Sequence, residues 1–252
     1  MRILLLSNSG RPFLEHAKPH LADFVAGVRR LAFVTAASLT DEVAYWQRAQ
    51  DSLSPEPGAG LGLDVLHLRW DVDPLATLAR AQAIFVGGGN TYALLKRLRH
   101  AGLLDAIRAR VEAGMPYIGA SAGSNVAGPR ILTTNDWNVV ALEAFDALGL
   151  VHFNINPHYQ ETDPAMAPGS ETRDDRIREY HAVWDNPVVG IEEGTALRIE
   201  DGVGAVLGRG RVKLFERGRE PRWLAAGERL PLSPREAAAQ PSPSVCSRVI
   251  EP

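Results

Sequence analysis

Up to about residue 130 the chain repeats one rhythm: a short apolar run, an amphipathic stretch, then another apolar run. The runs are Ile3 to Leu6, Leu31 to Thr35, Val65 to Leu68, Ile84 to Val86 and Tyr117 to Gly119. Between them lie helical patterns at Phe13 to Arg29, Thr40 to Ser52, Pro74 to Ala81 and Tyr92 to Ala113, the last broken near Gly102. Strands this short and this continuously apolar suit a sheet covered on both faces. Helical stretches between them supply the crossovers that parallel strands require, so the pattern calls for βαβ units. Thr40-Asp41-Glu42 has the form of a helix start, with carboxylates near the positive end of the dipole.

Beyond Val126 the character changes. Leu132 to Trp137 is polar and turn-like, and Val151 to His158 is a strand expected to stop at Pro157. Arg173 to Ala182 is a charged helix, and the irregular stretch Glu161 to Gly169 is the candidate for a lid. Val188 to Ile191, Ala196 to Ile199 and Val212 to Phe215 suggest a small C-terminal β-meander with glycine turns. The expected organisation is one α/β domain over residues 1–232, followed by a loosely ordered Pro/Ser-rich tail over 233–252.

At 252 residues a second full domain is not expected. A net charge of −3 with dispersed Lys and Arg argues against nucleic acid as a partner. One cysteine, Cys246 in the tail, excludes an intrachain disulfide and a thiolate metal cluster. No apolar run approaches the roughly 18 residues of a membrane span. The opening Met1 to Ser7 fits a buried first strand better than a signal peptide, so a cytoplasmic protein is expected.

The stretch Tyr117-Ile118-Gly119-Ala120-Ser121-Ala122-Gly123 has the G-x-S-x-G form of a nucleophile elbow, with serine at a strained strand-to-helix turn. About one chain in ten of this length would carry the bare pattern by chance, so its context decides. It follows an apolar run, and a second glycine cluster, Gly87-Gly88-Gly89-Asn90-Thr91, ends another. Two such strand ends in one sheet form the crevice where open α/β folds bind ligands. A serine nucleophile needs a base and the base an orienting group. His16, His20, His67, His100 and His181 lie in helical or alternating strand patterns and fit solvated or structural roles, and His152 lacks a loop context. His158, at a strand end after the elbow, is the candidate base. Asp136 and Glu193 compete as the orienting carboxylate, and Glu192 is next to the latter. The glycine after Glu193 tilts the choice toward it without closing it.

The chain resembles the peptidase E family of α-aspartyl dipeptidases. Gly87 to Lys96 is similar to that family's glycine signature and Gly119 to Asn125 to its serine elbow, although tryptophan is common there at the Ala120 position. Thr133-Thr134-Asn135-Asp136, Asn156-Pro157-His158, Glu171 to Ile177 and Gly190 to Gly194 continue the match in order. The resemblance implies Ser121 as nucleophile, His158 as base, Glu193 or Asp136 as orienter, and Arg173 as the cation that grips the substrate's aspartyl carboxylate. It implies a sheet like that of class I glutamine amidotransferases, with serine in place of their cysteine.

The reading that follows is an α/β fold with a mostly parallel, flavodoxin-like sheet, helices on both faces and the small meander. Its activity is that of a serine dipeptidase cleaving Asp-X dipeptides through an acyl-enzyme, with no cofactor and no metal. Backbone N–H groups of Ala122 and of Gly88 or Gly89 would hold the oxyanion, and Asn90 would join Arg173 in binding substrate. Small peptides are the expected partners, and a monomer or small homo-oligomer the expected state. The rivals are a cyanophycinase-like β-aspartyl exopeptidase and a non-catalytic binding protein on a glutamine amidotransferase-like fold.

Overall fold

A computed structural model describes residues 1–56, 60–161 and 169–231. The expected tail and most of the candidate lid lie outside the described residues. Five parallel strands form one side of the larger sheet, out to its edge: β1 (Arg2–Leu6), β2 (Arg30–Val34), β3 (Asp64–Leu68), β4 (Ala83–Val86) and β5 (Tyr117–Ala120). Their order is β1-β5-β4-β2-β3. The layering is flavodoxin-like, but β1 stands beside β5, where a flavodoxin sheet has its last strand.

Strand alternation explains the two cores. Ile3 and Leu5 of β1 face Leu94, Leu98 and Ile107 of α4 (Thr91–His100) and α5 (Leu103–Glu112). Leu4 and Leu6 face the other way, toward Leu21 and Phe24 of α1 (Lys18–Phe24) and Tyr45 and Leu53 of α2 (Glu42–Leu53). With both faces of β1 buried, the unbroken apolar run is what the sheet requires. Asp41 caps α2 by accepting from the Ala44 N–H at 2.8 Å. The break near Gly102 separates α4 from α5, whereas the first helical pattern is shorter than expected: α1 starts only at Lys18, with Pro19 in its first turn.

The expected meander is instead shared between two sheets. β8 (Thr195–Glu200) pairs antiparallel with β1, and β9 (Val203–Gly208) and β12 (Arg229–Pro231) extend the large sheet to eight strands. β6 (Asn154–Tyr159), β7 (Val188–Glu192), β10 (Val212–Phe215) and β11 (Arg222–Leu224) form a second sheet in the order β11-β10-β7-β6. β6 continues through Pro157 because it is an edge strand, where a missing N–H need not break a ladder. The short turn from β7 to β8 therefore crosses from one sheet to the other, and Glu193 sits on it.

Candidate active site

Ser121 links β5 to the single-turn α6 (Ala122–Asn125) with φ 53° and ψ −111°, outside the regions that ordinary side chains favour. Close packing imposes the turn. A Cβ on Gly123 would lie 1.9 Å from the Val86 carbonyl oxygen, and one on Gly119 would lie 2.5 Å from that of Gly123. Only glycine lets α6 sit down on β4 and β5. The Ser121 N–H donates to the Leu6 carbonyl at 3.0 Å, and the Ser124 hydroxyl lies 2.7 Å from that oxygen, so the turn is tied to β1. Strain of this kind costs about 1–3 kcal/mol and persists where the surroundings over-determine it.

His158 reaches the same point from the second sheet. The β6–β7 register shifts between Pro157 and Tyr159, and His158 occupies that irregularity with φ 54°. Bulges re-aim side chains beside active sites, and this one turns the imidazole toward the elbow. The His158 N–H donates to Ser7 Oγ at 2.9 Å, and that hydroxyl donates to the Ile191 carbonyl at 2.8 Å. Nε2 lies 2.7 Å from Ser121 Oγ, and Nδ1 bonds the Glu193 carboxylate. A carboxylate on Nδ1 holds the proton there, which leaves Nε2 bare to accept from the serine hydroxyl.

Asp136 does not touch the imidazole. Its Oδ2 accepts from the Thr91 N–H at 2.7 Å and lies 3.1 Å from the Thr134 hydroxyl, so it braces the start of α4 on the wall of the cleft. Glu192 turns away from the site, as neighbours on a strand do, and pairs with Arg211 at 3.0 Å. The glycine loop lies close enough that a Cβ on Gly88 would come within 3.0 Å of the Ser121 Cβ. The Gly88 N–H is already committed to Tyr45 Oη at 2.7 Å, whereas the N–H groups of Gly89 and Ala122 have no acceptor among the described residues. Asn90 uses both ends of its amide structurally. Its oxygen caps α4 through Ala93 N–H at 2.9 Å, and its nitrogen donates to the Trp137 carbonyl at 2.9 Å.

Ser121, His158, Asp136, Gly88 and Gly89 line one cleft of about 570 Å³ at the carboxyl edge of the large sheet. Arg173 lines a second cavity of about 370 Å³, with Thr133 to Asn135 and Asn156. It opens helix α7 (Arg173–Val183), and its guanidinium donates to Asn135 Oδ1. Asn135 is itself held by Asn156, which donates to the same oxygen at 2.9 Å. Burial and the neighbouring Arg176 push the Arg173 pKa down, and no carboxylate among the described residues pairs with it. A half-desolvated, unpaired guanidinium is primed for an anion.

Residues 3–206 match the sequence model of peptidase family S51. The chain belongs to peptidase family S51. It is 47% identical over 234 residues to Peptidase E of Streptomyces coelicolor, covering 91% of this chain and 93% of that one. It is 43% identical over 220 residues to a probable alpha-aspartyl dipeptidase of Drosophila melanogaster, covering 85% and 89% of the two chains. The structure of a putative peptidase E from Listeria monocytogenes superposes with a TM-score of 0.61 at 24% identity, over 90% of this chain and 98% of that one. A peptidase from an acI-B1 actinobacterium superposes at 0.65 and 20% identity, over 92% and 96%. These last two likenesses show the fold.

Three contributors to this S51 site escape the sequence patterns. Ser7 and Asn8, just past β1, tie it to the second sheet and its turn: Ser7 holds His158, and Asn8 Oδ1 accepts from the Gly194 N–H at 3.2 Å. The polar run Ser7-Asn8-Ser9 after the first apolar strand is the signal that could have exposed them. Tyr45, beneath the glycine loop, gives no signal beyond an aromatic residue on an amphipathic helix.

Proposed function

We propose that the chain is a serine dipeptidase that releases N-terminal aspartate from Asp-X dipeptides. The observation carrying this reading is the continuous relay from Ser121 through His158 to Glu193 at the elbow. Ser121 Oγ attacks the scissile carbonyl carbon while its proton passes to Nε2 of His158. The carbonyl electron pair moves onto oxygen, where the N–H groups of Gly89 and Ala122 receive it, each donor contributing about 3 kcal/mol. Collapse of this tetrahedral species re-forms the carbonyl and breaks the C–N bond, and His158 gives its proton to the departing amine. Water, deprotonated by His158, then cleaves the aspartyl ester and restores Ser121. Glu193 keeps the ring in the required tautomer and offsets the imidazolium charge.

Aspartate preference is assigned to residues 133–136 and to Arg173 in the cavity behind them. Arg173 takes the side-chain carboxylate, and Oδ1 of Asp136, without a partner among the described residues, faces the substrate's ammonium. Gly88 and Asn90 shape the wall rather than touch the reacting atoms. The test is hydrolysis of Asp-Leu in EDTA, beside Ser121→Ala. Turnover that survives EDTA and vanishes in the variant is expected. Wild-type-like turnover in Ser121→Ala would refute the serine mechanism, and exclusive cleavage of the β-aspartyl isomer would redirect the specificity.

A further inference from the structure

An Asp-X dipeptide carries a second carboxylate, at its C-terminus, on the far side of the scissile bond from the aspartyl side chain. Nothing in the relay or around Arg173 accounts for it. The cleft around Ser121 contains one Lys or Arg among its described lining residues, Arg48 on α2. Its guanidinium carbon lies 5.4 Å from the centre of the Tyr45 ring, and no carboxylate among the described residues pairs with it. Tyr45 is buried and fixed at both ends. Its hydroxyl accepts from Gly88 N–H beside the nucleophile, and its ring meets Phe33 and Phe13 edge-on. The ring therefore forms a rigid ledge that runs from the glycine loop out to the guanidinium.

We propose that Arg48 binds the C-terminal carboxylate of the substrate, in a subsite bounded by the Tyr45 ledge and the Ser38 to Thr40 rim. This rests on the dipeptidase reading above. The two free cations occupy different cavities. Arg173 lies on the side of residues 133–135, and Arg48 lies on the glycine-loop side. A dipeptide needs two separate cation sites as well, because its two carboxylates stand on opposite sides of the scissile bond. One residue of chain, about 3.8 Å between α-carbons, separates the cut from the terminal carboxylate, so a longer peptide would move that charge past the guanidinium. Arg48 thus measures substrate length. It is solvent-exposed with a long flexible stem, which lets it follow leaving residues of different size.

The experiment compares kcat/KM for Asp-Leu and for Asp-Leu amide, which lacks the terminal charge, in the wild type, Arg48→Met and Arg48→Lys. The wild type should favour the free acid by about tenfold or more. Arg48→Met should bring that ratio close to one, mainly by raising KM for the acid, and Arg48→Lys should keep part of it. A wild type indifferent to the amide, or equal losses on both substrates in Arg48→Met, would overturn the assignment and leave the dipeptidase reading standing. A wild type that cleaves neither substrate would overturn both.

Discussion

Ser121 and His158 both stand at positive φ, 53° and 54°, yet the regions that impose those values are built differently. The nucleophile side, β4, β5 and α6, is held by packing. Gly119, Gly123, Ser124 and Asn125 are buried, and backbone meets backbone with no room for a side chain. The base side, β6, β7 and the turn into β8, is held by hydrogen bonds across a bulge. The strands themselves are buried, but the two side chains this side presents to the cleft are open to water, with 40% of the His158 side chain and 56% of that of Glu193 exposed. One half of the site is a close-packed seat, and the other is a hydrogen-bonded arm tethered to β1 through Ser7 and Asn8.

The strongest test of this division is removal of the reacting groups. Ser121→Ala should lower kcat for Asp-Leu by about 10⁴-fold or more, and His158→Ala should fall in the same range, because members of such a relay act as a unit. Both should keep the wild-type Tm within a few degrees, measured by thermal unfolding. A large drop in Tm for His158→Ala would mean that the arm is part of the packing scaffold.

Next in size is the orienting carboxylate. Glu193→Gln keeps the shape but loses the charge that sets the tautomer, and kcat should fall by about 10²–10⁴-fold. Asp136→Asn should act mainly through KM, by no more than about tenfold, since its bonds run to Thr91 and Thr134 and not to the imidazole. Steady-state kinetics on the two variants decides the matter. The reverse order of effects would hand the orienting role to Asp136.

The same contrast governs what was legible in the sequence. The nucleophile side could be read because its geometry demands glycine: Gly119 and Gly123, on either side of Ser121, are where they are for lack of space, and lack of space leaves a residue pattern. The parallel core was legible for a similar reason, since strands buried on both faces must be continuously apolar. The base side leaves no such trace. Whether Glu193, Glu192 or Asp136 meets the imidazole depends on a one-residue register shift at His158 and on a turn that changes sheets, and neither has a compositional signature. Arg173 was placed only through family resemblance, because an arginine opening a charged helix looks solvated until Asn135 and burial are seen around it. Tyr45 and Arg48 stayed hidden because an amphipathic pattern tells which face is buried, not what the rim overlooks.

Arg173 extends the comparison to substrate. Its guanidinium is supported by Asn135 and Asn156, which stand at the junction of the two regions. Arg173→Met should cost about 2–5 kcal/mol in kcat/KM for Asp-Leu, because the aspartyl carboxylate then enters a partly desolvated site without its partner. Asn-Leu, with no side-chain charge, should lose far less, and Arg173→Lys should recover only part of the effect. Equal losses on both substrates would make Arg173 a structural residue and move aspartate recognition elsewhere.

Two variants away from the reacting atoms separate seat from arm most directly. Adding one methyl at Gly123 drives a Cβ into the Val86 carbonyl, and backbone on both sides leaves little to relax. Gly123→Ala should lose about 3 kcal/mol or more of stability, read by urea unfolding. Ser7→Ala removes the hydroxyl that links the His158 N–H to the Ile191 carbonyl, so a mostly enclosed donor and acceptor lose their partner. That should cost only about 1–3 kcal/mol of stability. Its distinguishing mark is kinetic. With the bulge released, the imidazole samples positions away from Ser121, and kcat should drop by about tenfold while KM stays near the wild-type value. If Ser7→Ala leaves kcat untouched, the bulge holds itself and the tether through β1 is incidental. If Gly123→Ala instead folds with wild-type stability, α6 is free to shift on β4, and the two halves of the site are held by the same kind of force.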